Sequence, residues 1–569
     1  IFKKGFQTMN RNSENHFALN PTSIDMQRSR FLRPFQHKTT FNASDLIPIY
    51  VDEVLPGDTA TMDMSGVIRM STPIYPVMDN CNIDTYFYFV PTRLIWEHWK
   101  EFMGENKLTA WEQPVKYEIP QITAPKGGWK KGTIADYFGI PTNVEGISVN
   151  ALPFRAYCLI WNEWFRDQNL KDAAMINLDE TTLTGSNEGD YVENAQLGAK
   201  PLKVAKYHDY FTSALPEPQK GPDVLLPIGN VNGELPIITK SSPNSILPEY
   251  GMTLTTMGYE MNAGSEYNLS IMNRGTTKTK SGLNAYISTG GPAEFDNTHN
   301  YAPDNLIAIA NNISGAQSTI NALRQAFAVQ RYYEKLARGG SRYREIIKTM
   351  FGVTSSDARM QIPEYLGGYR HPITIDQVLQ TSQTTESSPQ GNTAAYSLTN
   401  FTDSVFTKSF EEHGYIIGVA AIRTEHTYQQ GLEAMWNRKS LLDFYFPVFA
   451  NLGEMPIYNK EIYAQGNEVD EEVFGYQEAW APYRYKPSRV SGAFRSNYEQ
   501  PLDSWHYADY YTELPTLSSE WIDETKTNIN RTIAVQDELE DQFIADFFFK
   551  GIWTRPMPLY SIPGLIDHN

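Results

Sequence analysis

The chain has 569 residues, with 48 Lys and Arg against 66 Asp and Glu for a net charge of −18, and 41% of it is hydrophobic. That length can bury a sizeable core, the composition lacks the low-hydrophobicity signature of disorder, and the acidity argues against a protein that coats nucleic acid over its whole surface. Cys81 and Cys158 stand far apart with no CxxC, which excludes a disulfide framework and a cysteine-ligated zinc site and leaves at most one bridge.

In chain order, the first forty residues come apart from the rest. They carry Lys3, Lys4, Arg11, Arg28, Arg30, Arg33 and Lys38 against Glu14 and Asp25, a basic arm on an acidic body. Such asymmetry fits contact with nucleic acid, and equally an arm that salt-bridges to an acidic neighbour. From Thr40 to Val90, the segments Phe41 to Val54, Ala60 to Met70 and Asn82 to Val90 are punctuated by Pro56-Gly57-Asp58 and by Thr72 to Pro76, the spacing of antiparallel strands in a sandwich or barrel. The near-continuous apolar end of Ile83 to Val90 predicts a strand covered on both sides. Pro91-Thr92 then opens a helix through Leu94, Trp96, Trp99 and Phe102, with Thr92 placed to act as its N-cap.

Residues Pro153 to Leu170 predict a second helix, with proline in its first turn and Tyr157, Ile160, Trp161, Trp164 and Phe165 forming an apolar stripe. Between Gly229 and Asn300 nearly half of the residues are Gly, Asn, Ser or Thr and charge is sparse. That is too long for an ordinary connection, and its recurring hydrophobic pairs favour a surface subdomain. A long helical pattern from about Asp304 to Arg338 is stopped by Gly339-Gly340, and Arg342 to Phe351 continues as a short helix. Strands resume at Tyr415 to Thr424, with further candidates at Leu441 to Phe446 and Asp541 to Trp553. Helices that interrupt strands, rather than alternating with them, argue for an all-β core with helical insertions.

Catalytic signatures are missing: the chain has no HExxH, GxSxG, GxxxxGK[ST] or GxGxxG. No catalytic group, metal or cofactor is expected. The longest apolar run, Tyr415 to Ile422, falls far short of the roughly 18 residues that cross a bilayer, so no membrane insertion is expected. His98 reads as a packed or surface histidine, and His413 and His426 flank a strand at a spacing that suggests no shared metal. The acidic run Glu468, Asp470, Glu471 and Glu472 lacks the spacing of a calcium loop and reads as a solvated face. Two basic segments say more. Tyr483-Arg484-Tyr485-Lys486-Pro487-Ser488-Arg489, followed by Arg495, interleaves cations with aromatics as a single-stranded nucleic acid surface does, although pairing with carboxylates explains it equally well. Arg324, Arg331, Lys335, Arg338, Arg342, Arg344 and Lys348 crowd the long helix, where such pairing is the better reading.

Seven separated blocks also resemble one known family. They are "NPTSIDMQRSRF" at 20 to 31, "FYFVPTRLIWEHWKEFMGEN" at 87 to 106, "LPFRAYCLIWNEWFRDQNL" at 152 to 170, "YHDYFTSALPEPQKGP" at 207 to 222, "RYREIIKTMFGVTSSDARMQIPEYLGG" at 342 to 368, "YRYKPSRVSGAFRSNY" at 483 to 498 and "RPMPLYSIPGLIDHN" at the end. Together they resemble the major capsid proteins of the Microviridae, in the gokushovirus branch of small single-stranded DNA phages. The resemblance implies an eight-stranded antiparallel jelly roll with long, partly helical insertion loops. It also implies a T=1 icosahedral shell of sixty copies around a circular single-stranded DNA genome, and a small basic DNA-packaging protein as partner. In that family a variable insertion projects at the threefold axes and contacts the host receptor, and residues 229–300 occupy its place. On this reading 1–40 is the arm, 41–228 with 301–569 the core, and Arg28, Arg30, Arg33, Tyr483, Arg484, Tyr485, Lys486, Arg489 and Arg495 face DNA. The virion would be its location, after assembly in a reducing host cytoplasm. A phage attachment spike or a carbohydrate-binding β protein would explain fewer of these features.

Overall fold

Side-chain alternation decides the frame. In Phe543–Arg555, residues Phe543, Ala545, Phe547, Phe549 and Trp553 are buried while Ile544, Phe548 and Lys550 face outward, the period of two of a strand with one wet face. A computed structural model describes residues 27–106, 116–224, 320–385, 389–535, 537 and 539–560, together with the backbone of short strands between 237 and 308. Eight long strands organise it: β1 (Ser29–Phe41), β2 (Ile47–Val54), β3 (Thr59–Met70), β4 (Cys81–Pro91), β5 (Glu364–Pro372), β6 (Thr399–Ser409), β7 (Gly414–Thr424) and β8 (Phe543–Arg555).

These strands make two four-stranded antiparallel sheets, ordered β1-β8-β3-β6 and β5-β4-β7-β2. The pairing is nested. β1 pairs with β8, β2 with β7, β3 with β6 and β4 with β5, as if one long hairpin had been rolled up. The sheets enclose a core that includes Phe41, Ile49, Met62, Met64, Phe87, Phe401, Ile416, Phe547 and Trp553. The outer face of β5-β4-β7-β2 is covered as well, by a second core in which Tyr88, Ile417 and Val419 meet Trp96, Trp129, Phe154, Tyr157 and Trp161. Double coverage is why β4 and β7 are buried along nearly their whole length, as the apolar run at Ile83 to Val90 led us to expect.

Polar atoms inside the second core find backbone partners. Tyr157 donates to the Leu46 carbonyl at 2.6 Å and accepts from the Leu202 amide at 3.0 Å, while the Trp161 indole donates to Lys203 O at 2.8 Å. These bonds tie 152–204 to the start of β2. A third core of Tyr210, Phe211, Tyr428, Phe474 and Trp521 gathers the segments around 205–215 and 428–524. Both cysteines are free thiols, Cys81 in the first core and Cys158 in the second, so no bridge forms.

Several boundaries differ from the sequence reading. Residues 29–40, read as part of the arm, are strand β1: Phe31 packs against the core and Phe35, 45% exposed, stacks on Phe549; residues 1–26 lie outside the described residues. Phe41 to Val54 is not one strand: Phe41 closes β1, and after a break at 42–46 β2 begins at Ile47 in the other sheet. Thr92 is no N-cap: it is the buried first residue of a short turn, Thr92–Leu94, followed only by the single turn Trp99–Phe102. The second helix, α1 (Leu152–Ile160), widens into a looser turn over Trp161–Phe165 and ends at Arg166 rather than at Leu170. Leu441 to Phe446 forms no strand, because Ser440 and Asp443 cap a short helical turn at Leu441–Asp443 and Pro447 starts another.

The chain divides into two compact units, 1–222 with 332–569, and 223–331. In the second unit three antiparallel pairings nest inside one another: Ile237–Thr239 with Leu306–Ala308, Thr256–Glu260 with His299–Pro303, and Tyr286–Ile287 with Gly291–Pro292. The rest of the 229–300 segment lies outside the described residues. The long helix, α2 (Ile320–Gly339), starts later than expected, since 306–308 is strand, and Gly340 at φ +86° ends it before α3 (Tyr343–Phe351). Among the described residues no helix is long and apolar enough to cross a membrane.

Candidate nucleic-acid interface

The sequence-predicted DNA residues fall into two groups with different neighbours. The first sits at the start of β1, an edge strand. Arg33 donates to both carboxylate oxygens of Asp52, at 2.5 and 3.2 Å, with its guanidinium 5.4 Å from the Trp553 ring. Arg28 donates to Gly57 O at 2.5 Å and to Thr59 Oγ1 at 2.9 Å. Arg555, at the end of β8, pairs with Asp58 at 3.2 Å and lies over the same Trp553 ring. Arg30, Arg33 and Arg555 then line a shallow hollow with Leu32, Met557 and Leu559. Four cations against two carboxylates leave this edge locally positive on an acidic protein.

In the second group Tyr485, Lys486, Arg489 and Arg495 line a hollow of about 240 Å³ between residues 428–438 and 482–495, and Tyr483 and Arg484 lie outside its lining. Lys486 and Arg489 share one carboxylate, Glu433; Arg489 reaches it at 3.3 Å. Arg484 pairs with Glu478 at 3.0 Å, and Arg495 donates to the Gln429 carbonyl at 3.0 Å. Tyr483 and Tyr485 remain about half exposed. Both readings of this segment therefore have material support: Arg484, Lys486 and Arg489 are held by carboxylates, yet two of them share one, and the two tyrosines keep open surface. Sequence reasoning missed Trp436 and Arg438, which complete the hollow; Arg438 lies 4.3 Å from the Tyr483 ring. The local run Met435-Trp436-Asn437-Arg438-Lys439 was the signal for them.

Several of the other singled-out residues are structural. Arg338 pairs with Glu454, Arg342 with Glu163 and Glu345, and Arg344 with Asp357 while lying 4.1 Å from the Trp164 ring, so pairing explains these helix cations. His98 stacks on Tyr117 and pairs with Glu180. In the acidic run, Asp470 accepts the amides of Gln465 and Gly466 at 2.9 and 2.7 Å, and Glu471 pairs with Lys460, so the run braces its own turn. Among the described residues no group of three His, Cys, Asp or Glu side chains is placed to hold a metal ion.

The aromatic and cationic surface agrees with the comparisons to known proteins. A family model described as "Capsid protein (F protein)" matches residues 20–565. The chain is 43% identical over 544 residues to capsid protein VP1 of Spiroplasma virus 4, which covers 95% of each chain. It is 44% identical to capsid protein VP1 of Bdellovibrio phage phiMH2K, over 97% of this chain and 98% of that one, and 40% identical to capsid protein VP1 of Chlamydia phage 1 over the same shares. The chain therefore belongs to the capsid (F protein) family of Microviridae of the gokushovirus type, a major capsid protein of the virion and not an enzyme.

Proposed function

We propose that the protein is an eight-stranded jelly-roll subunit that assembles, sixty copies to a shell, into a T=1 icosahedral capsid around a circular single-stranded DNA genome. The observation that carries this is the nested pairing of eight strands in two facing sheets, the connectivity of a jelly roll, in a chain of the capsid family. We assign contacts with neighbouring subunits to the surface of its long connections, residues 92–363 and 425–542. Apolar side chains left open on 436–452 favour that use: Val448 is 88% exposed, and Leu441, Leu442 and Trp436 are each about two-thirds or more exposed. Contiguous apolar exposure of this kind is what an obligate subunit contact buries.

An acidic protein around a polyanion needs a basic inner face and counter-charge from elsewhere. We assign the first to Arg28, Arg30, Arg33 and the Tyr483 to Arg495 segment, and the second to a small basic DNA-packaging protein with mobile cations. Assembly in a reducing host cytoplasm agrees with two buried free thiols. Electron microscopy of purified protein tests the reading. Closed spherical shells with these side chains lining the interior are expected; monomers or trimers overturn the shell, and a map with the side chains on the outside overturns the inner face.

A further inference from the structure

A third aromatic and cationic hollow, of about 390 Å³, lies on the outward face of β4, within the size range of small-molecule sites. Tyr86 and Tyr88 point into it because they alternate with Phe87 and Phe89, which face the sandwich core. Trp164, Phe165 and Tyr365 complete an aromatic wall, with Tyr88 5.3 Å from Trp164 and 5.6 Å from Tyr365, and Tyr86 5.2 Å from Phe165. The opposite side is charged. Arg370 and Arg423 each lie 4.2 Å from the ring of Tyr207, and both pair with the buried carboxylate of Asp84, which also accepts from Tyr207 at 2.8 Å.

One carboxylate faces two guanidiniums, so the hollow keeps a positive charge. Arg423 is spent, donating also to Tyr86 Oη and the Ala205 carbonyl. Arg370 is not: its side chain is 53% exposed, and only Nε and Nη2 reach Asp84, at 2.7 and 3.5 Å. Among the described residues its Nη1 has no partner. Trp164 already carries Arg344 and Tyr207 carries both arginines, but Tyr365 is 43% exposed, and an exposed ring beside an unspent guanidinium fits a stacked base with a neighbouring phosphate, while the positive charge disfavours a basic peptide.

From this we infer that the hollow bounded by Trp164, Tyr207, Tyr365 and Arg370 binds a nucleotide of single-stranded DNA. Its position extends the proposed interface. Tyr207 and His208 line this hollow, while Tyr210 and Phe211 line the one that holds Tyr485, Lys486 and Arg489. Three residues of chain span at most about 11 Å, so the walls of the two hollows adjoin. The inference rests on the reading that the protein encloses single-stranded DNA.

The test uses the full chain and a fluorescein-labelled oligo-dT of about ten nucleotides, within the usual footprint of single-strand binders. Tyr365→Leu keeps apolar bulk and removes the stacking face; Arg370→Gln removes the charge and leaves Arg423 on Asp84. Each should weaken binding by roughly tenfold in protein that keeps a cooperative melting transition. Photo-crosslinking of the unsubstituted protein to an iododeoxyuridine oligonucleotide should label Tyr365, Trp164 or Tyr207, and decides the matter should a variant fail to fold. Unchanged affinity in both variants, or adducts confined to residues 436–495, overturns this site and leaves the genome reading standing. No saturable binding by the unsubstituted protein overturns both.

Discussion

His426 shows what a single buried charge contributes here. Its Nδ1 lies 2.7 Å from Asp509 Oδ2 and its Nε2 3.2 Å from Glu524 Oε2, with all three side chains almost fully buried. Burial by itself pulls the imidazole down, but the two carboxylates overcome it and push the pKa up to about 10. A histidine raised in the folded state adds stability that is fully present below its ordinary value of about 6.5 and is lost as pH climbs through about 10. Asp509 is shifted the other way: burial raises it, yet His426 holds it down to about 2, so its contribution is present above the ordinary carboxylate range and lost as pH falls through about 2. Melting temperature should accordingly decline from pH 6.5 to 10. His426→Leu strands two buried carboxylates and should cost about 3–5 kcal/mol at pH 6. The variant's melting curve should then be flat across that window, and a variant that kept the decline would assign it to other groups. The sequence placed His426 beside a strand and no further, because its partners come from 83 and 98 residues away.

Among the elements, β3, β4, β7 and the helix α3 were read close to where they lie, whereas β5 and β6 were not read at all. Alternating residues in β3 and β8 settle both their type and their inward faces, since a pleated strand buries every second side chain. The exception within β3 is Gly66, where an alternating pattern expects a large apolar residue. A Cβ there would lie 2.3 Å from Cζ of Phe401 on β6, so the ring occupies the space that the missing side chain leaves. Gly66→Ala should destabilise by about 1–3 kcal/mol through overpacking. Gly66→Ala with Phe401→Leu should recover part of that loss in a urea titration, whereas additive losses would show that the ring is not the obstacle. Leu441 to Phe446 failed as a strand for a related reason: its apolar side chains have no layer to pack on within one subunit, so capping by Ser440 and Asp443 decides its local shape.

At the scale of the molecule, the long connections carry what the eight strands do not. The 223–331 unit makes its own nested pairings, and the 229–300 segment has the low charge and the Gly, Asn, Ser and Thr content of a surface element. We assign host attachment to it. Replacing residues 237–308 with a short Gly-Ser linker, which removes the whole nested set, should leave shells visible by microscopy and abolish adsorption to host cells. Adsorption at the original level would overturn that assignment, and loss of shells would give the segment a part in assembly instead.

By itself the sequence determined the strand-rich class, the strands β3, β4 and β7, the basic and aromatic segment at Tyr483 and, through seven ordered blocks, the family. All of these are local properties, written in residues that adjoin one another or repeat at a fixed period. Tertiary structure alone decided the nested pairing, the double coverage of β4 and β7, the sharing of Glu433 by Lys486 and Arg489, and the hollow at Tyr207. That hollow draws on five separate stretches of chain, and its charge depends on Asp84 being buried between two arginines from different strands. Contacts between distant segments follow from how the sheets roll up, and no window of sequence contains them.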